Sequence, residues 1–154
     1  MRIECINPFI DASFKLINNI FNIKPKRGIP LLRESPLKGI EVAVVLKLTG
    51  KVEGEVILGL SKEVSKTVIS KMLYGYPIDE YGDIEINTLK EFGTVICGLA
   101  LENAYDNYKY KCSSNGVNVF IDEKEIFTTL SKILLIPIEC SFGIINLYFS
   151  FIEN

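Results

Sequence analysis

Residues 89–104 read LKEFGTVICGLALENA. At about 100° per residue, with Leu89 at zero, Ile96 and Ala100 fall within about 20° of it, and Phe92, Gly93 and Leu99 within about 80°. The spacing therefore predicts an amphipathic helix, extending to about 84–107, whose apolar side faces a core. On the same wheel Glu91 sits at about 200°, Thr94 at about 140° and Gly98 at about 180°, with Asn87 and Tyr105 both at about 160°. These five residues point away from the core. A mid-helix glycine costs about 1 kcal/mol relative to alanine, and on an outward face internal packing does not offset that cost. Taken alone, the polar stripe is either a solvated face with an incidental glycine or a docking ridge carrying a carboxylate, a hydroxyl one turn away and a notch for close approach. The Glu91/Thr94 spacing puts both groups near one small target, yet the same spacing recurs at Glu4/Asn7, Glu85/Thr88 and Glu125/Thr128.

Outward from this helix, "SKEVSKTVISKMLYG" opens on Ser61 as N-cap, sets Val64, Val68, Ile69 and Met72 on one face and stops at Gly75, giving a second helix. Before it, "EVAVVLKLTG" and "GEVILGLS", separated by "KVE" and bounded by Gly50 and Gly54, read as a strand hairpin. "PFIDASFKLINNIF" has helical spacing from Pro8, so the first helix is expected over about 8–22, with Asn7 and Pro8 at its start. "NIKPKRGIPLLRESPLKGI" holds three of the six prolines and favours an extended edge or loop. Beyond the long helix come "KCSSNGVNVFI", "FTTLSKILLIPIEC" and "FGIINLYFSFIE", all strand-like, the last two turning near Ser141–Gly143. The fold class is α+β: a largely antiparallel sheet with helices packed on one face, in a single domain over 1–154. The apolar "KILLIPIEC" and "IINLYFSFI" are either core strands or exposed edges that pair with another chain.

The 154 residues are 48% hydrophobic, enough for one full core. Lys plus Arg number 17 against 19 Asp plus Glu, a formal charge of -2, so no positive field recruits a phosphate backbone and nucleic acid is not expected as a partner. No stretch approaches the ~18 apolar residues of a membrane span, and the N-terminus lacks an apolar signal core, so a soluble cytoplasmic protein is expected. Histidine is absent, which removes Ser-His and Cys-His nucleophilic machinery. Cys5, Cys97, Cys112 and Cys140 are too dispersed for a zinc site, so no metal site is expected and they read as reduced core residues.

Four segments in order, "INPFIDAS", "LTGKVEGEVILGLS", "VISKMLYG" and "LKEFGTVICGLALENA", resemble the CheX branch of the CheC/CheX/FliY phosphatases of bacterial chemotaxis over nearly the whole chain. The resemblance implies removal of the phosphoryl group from the aspartyl-phosphate of a CheY-like response regulator. It implies that the helix signature Glu-x-x-Asn, followed four residues later by Gly, docks a receiver lysine through Glu and orients a water through the Asn amide. The divalent ion, Mg2+, belongs to the receiver, and no cofactor of the chain's own is implied.

Glu91 matches the family's Glu and Gly98 its Gly, but Thr94 holds the Asn position. Threonine offers one hydroxyl, shorter by about one bond and stiff at χ1, where an amide offers an acceptor and two donors. Dual-function sensor kinases resemble a related rule in which Glu-x-x-Thr serves beside Glu-x-x-Asn, an analogy across unrelated folds. Asn87, one turn earlier on the same face, is either an ordinary residue of the helix's first turns or a substitute source of an amide, and it is expected among the contacts for the partner. The family's Pro-Pro element is missing near Ser114 and Asn115. The expectation is a phosphatase with Glu91 docking and Thr94 orienting water; the alternative is a degenerate, non-catalytic module that binds a receiver or dimerises. A homodimer is expected, since CheX relatives pair through their sheets.

Overall fold

A computed structural model describes residues 2–154. Helix α1 (Ile3–Phe21) leads into short strands β1 (Lys26–Arg27), β2 (Leu31–Glu34) and β3 (Leu37–Lys38) and the long pair β4 (Val42–Gly50) and β5 (Val52–Leu60). Helices α2 (Lys62–Met72) and α3 (Asp83–Tyr108) follow, then β6 (Cys112–Ile121), the short β7 (Glu125–Ile126), β8 (Lys132–Cys140) and β9 (Gly143–Glu153). All the pairings are antiparallel, in the order β1-β8-β9-β5-β4-β6 with β2 beside β1 on β8; β3 and β7 form a separate pair. The α+β expectation holds.

Strand alternation divides the sheet into two faces. Val42, Val44, Leu46 and Leu48 of β4, with Val56 and Leu58 of β5 and Leu147, Phe149 and Phe151 of β9, join the apolar sides of all three helices in the main core. Their neighbours Ala43, Val45, Ile57, Leu135 and Tyr148 face the other way, where Leu37, Ile40 and Ile126 cover part of them in a second, smaller cluster. On that second face Glu55, only 9% exposed, accepts the N–H and hydroxyl of Thr129, both at 2.6 Å, and so pins the loop before β8. The apolar C-terminal strands are interior strands: β9 lies between β8 and β5, and the far edge of β8 is taken by β1 and β2.

Three local readings change. Helix α1 starts at Ile3, so Pro8 lies inside it. Proline cannot donate to the carbonyl of Glu4, four residues back; the hydroxyl of Tyr110 donates to that oxygen instead, at 2.9 Å. A contact from residue 110 thus permits a helix that local rules would begin at Pro8. The β4–β5 turn is tighter than the flanking glycines suggest, and Gly54 lies within β5. Its φ is +143°, and a Cβ there would come within 2.3 Å of the Ser150 carbonyl oxygen on β9. Finally, α2 ends at Met72, with Tyr74 and Gly75 both at positive φ beyond it. Ser61 caps α2 as expected, accepting from the N–H of Val64 at 3.0 Å.

Candidate functional site on the outer face of α3

Helix α3 starts after Gly82, whose N–H donates to Oε1 of Glu85 at 3.0 Å, and ends at Lys109 in the left-handed region. Leu89, Phe92, Gly93, Ile96, Cys97, Ala100 and Ala104 are buried, matching the apolar side of the wheel. Gly93 sets the depth of packing, because a Cβ there would lie 2.6 Å from Cγ1 of Val44 and 3.0 Å from Cδ2 of Leu46. The helix therefore rests directly on β4. That close seating holds the opposite face in a fixed orientation to solvent.

Asn87, Glu91, Thr94, Gly98 and Tyr105 are all exposed on that opposite face. Among the described residues Glu91 makes no ion pair and no side-chain hydrogen bond; the two ion pairs are Arg2–Glu4 and Lys62–Asp122. Its carboxylate is free to meet an external cation. The hydroxyl of Thr94 donates to the carbonyl oxygen of Lys90 at 2.7 Å, which occupies its single proton and leaves its oxygen lone pairs directed outward as acceptors. Thr88 makes the same bond to Ile84, so the geometry is ordinary for helical threonine and the location is what differs. A Cβ on Gly98 would meet no atom within 4 Å, so nothing inside the molecule requires glycine there.

The thiols contribute no nucleophile: burial pushes Cys5 and Cys140 up to about 11 and raises Cys97 and Cys112 as well, which keeps all four protonated near neutrality. Where a Pro-Pro element was expected, β6 bulges instead: Leu46 pairs with Val117 and Leu48 with Ser114, leaving Asn115 and Gly116, the latter at φ +109°, opposite Lys47. Among the described residues no three His, Cys, Asp or Glu side chains converge as a metal site would need.

An antiparallel sheet with helices packed on one face has counterparts among known proteins. No protein-family model matches the chain. The CheY-P phosphatase CheX of Thermotoga maritima is 26% identical over 102 residues, a match spanning 64% of this chain and 63% of that protein. Among solved structures, a CheC-like superfamily protein from Shewanella sp. PV-4 superposes with a TM-score of 0.84 at 19% identity, covering 99% of this chain and 100% of that one. The CheX–CheY–BeF3–Mg2+ complex from Borrelia burgdorferi gives 0.75 at 22% identity, again covering 99% and 100%. The fold is that of the CheC-like proteins. Among the proteins with this fold, the chain is similar in sequence to CheX, over about two thirds of its length.

Proposed function

We propose that this chain, as one folded unit in the cytoplasm, hydrolyses the aspartyl-phosphate of a CheY-like response regulator and so ends a chemotaxis signal. The observation that carries this reading is the alignment of an unpaired Glu91, an exposed Thr94 and an unfilled Gly98 on the outward face of the longest helix of a CheX-like fold. Among the described residues no helix is long and apolar enough to cross a membrane.

In the proposed reaction Glu91 pairs with a receiver lysine and fixes the receiver over α3, with Asn87 and Gly98 in the same contact. Thr94 Oγ1, its proton held by Lys90, accepts a hydrogen bond from a water and aims that water at phosphorus. The water oxygen bonds to phosphorus as the bond to the aspartate oxygen breaks. The receiver keeps a free carboxylate, and inorganic phosphate leaves with the water's oxygen. A threonine hydroxyl is too weak a base to take the proton outright, so its contribution is position. A Mg2+ held by the receiver would supply the Lewis-acid chemistry on the phosphoryl oxygens, leaving docking through Glu91 and placement of water through Thr94 to this chain.

Threonine in the family's asparagine position favours a second reading, a module that docks a receiver without hydrolysing it. Adding catalytic amounts of the protein to the host's phosphorylated CheY-like receivers separates the two. Phosphatase activity shortens the lifetime of the phosphoryl group on at least one receiver, whereas an unchanged lifetime on every receiver it binds assigns the docking role alone.

A further inference from the structure

The polar stripe does not begin at Asn87. One turn earlier, Ile84 falls at about 220° on the same wheel, next to Glu91, and its side chain is 65% exposed. It is a β-branched residue in a first turn that also contains Asp83 and Glu85, at a position where a polar side chain forms helix equally well and costs no exposed apolar area. Among the described residues it packs in neither apolar cluster.

Tyr105, at the other end of the stripe, is 52% exposed but has a partner: Nζ of Lys111 stands 5.8 Å from its ring centroid. Distance separates the two residues further. A specific interface covers about 800 Å² on each partner, a disc about 16 Å in radius. At about 1.5 Å of rise per residue, Ile84 lies about 13 Å from the midpoint of Glu91 and Thr94, inside such a disc, and Tyr105 lies about 19 Å away, outside it. A footprint of that size centred on Glu91 and Thr94 would reach Ile84 and stop short of Tyr105.

We propose that Ile84 is an apolar anchor for the receiver, packing against an apolar patch beside its phosphorylated aspartate, so that the docking surface extends from the catalytic pair toward the first turn of α3. The inference rests on the reading of α3 as a receiver-docking helix. Truncating an exposed isoleucine that becomes buried only on docking raises no question of folding.

The test compares wild type, Ile84→Ser, Ile84→Glu, Tyr105→Ser and Thr94→Ala for binding to a CheY-like receiver loaded with beryllofluoride and Mg2+, and for turnover of the phosphorylated receiver. Ile84→Ser is expected to weaken binding and raise KM about five- to twenty-fold, the scale of one buried aliphatic side chain, with kcat within about twofold, an unchanged thermal midpoint, and a larger loss in Ile84→Glu. Tyr105→Ser is expected to bind like wild type. If both Ile84 variants bind within about twofold of wild type while Thr94→Ala loses turnover, the anchor is wrong and the phosphatase reading stands. If they lose binding although wild type turns nothing over, the anchor stands and hydrolysis fails. Absence of binding by wild type to every host receiver overturns both.

Discussion

Pro8 and Tyr110 show how one residue alters the conformation another can adopt. The proline leaves the Glu4 carbonyl without its helical donor, and the Tyr110 hydroxyl supplies one. Removing that hydroxyl in Tyr110→Phe is expected to destabilise the fold by about 1–2 kcal/mol, the cost of leaving a part-buried carbonyl unsatisfied. In a Pro8→Ala background, where an N–H is restored, the same change is expected to cost clearly less; denaturant unfolding of the four proteins reads the coupling. The helix start at Ile3 was not legible in the sequence for this reason: the local rule for proline is correct, and a contact more than a hundred residues away overrides its consequence. The core reading of the cysteines, by contrast, was legible for Cys5 and Cys97, which are buried, and only in part for Cys112 and Cys140, which are free thiols half-buried at the core's margin.

Among the elements, α3 was the most legible. Its period fixed both the buried side and the exposed stripe, and each residue placed on them from the wheel lies there, apart from Leu99, which is half-buried at the margin. The two glycines on opposite sides of this helix make opposite predictions. Gly93→Ala would press a Cβ to 2.6 Å from Val44 and is expected to destabilise by about 1–3 kcal/mol. Gly98→Ala meets open space and removes a helix-breaking residue, so it is expected to stabilise by about 0.5–1 kcal/mol while weakening receiver docking. Thermal melts of the two variants check the signs. The Gly54 reading failed because a glycine that ends a strand and one that admits a neighbouring strand's carbonyl have the same local sequence signature; only the register of β5 against β9 distinguishes them. The exposed apolar Ile84 was missed for a related reason, since a single isoleucine off the core face carries no periodic signal.

At the scale of the whole molecule, the order of strands could not be read from the sequence. The apolarity of β8 and β9 is compatible with an edge that invites pairing, but both are covered, and among the described residues the long strand with an unpaired edge is β6. The homodimer expected from the sequence would therefore pair through that edge. Sedimentation across a wide concentration range is expected to show a species of twice 17.3 kDa, and only the 17.3 kDa monomer throughout would contradict the dimer.

The chain ends also meet: the N–H of Arg2 at the head of α1 donates to Oε1 of Glu153 in β9 at 2.8 Å. Burial works to raise this carboxyl, but hydrogen bonds from the Arg2 N–H and the Cys5 thiol outweigh it, and the net shift is downward. A carboxyl depressed on folding contributes stability that is complete above the ordinary carboxylate range, about pH 4.3, and is lost as pH falls through its folded value. Glu153→Gln is accordingly expected to reduce stability at neutral pH and to flatten its loss below about pH 4, as read by urea midpoints across that range.

The central claim, that Thr94 orients the attacking water, is tested most directly by the lifetime of the phosphoryl group on a receiver that this protein dephosphorylates, with wild type, Thr94→Ala and Thr94→Asn compared at equal catalytic concentration. The account predicts that Thr94→Ala loses about 10²-fold or more of the acceleration, the scale of removing one positioned polar group, while Thr94→Asn retains or exceeds the wild-type rate and both variants still bind the receiver. A Thr94→Ala variant that dephosphorylates the receiver as fast as wild type would contradict it.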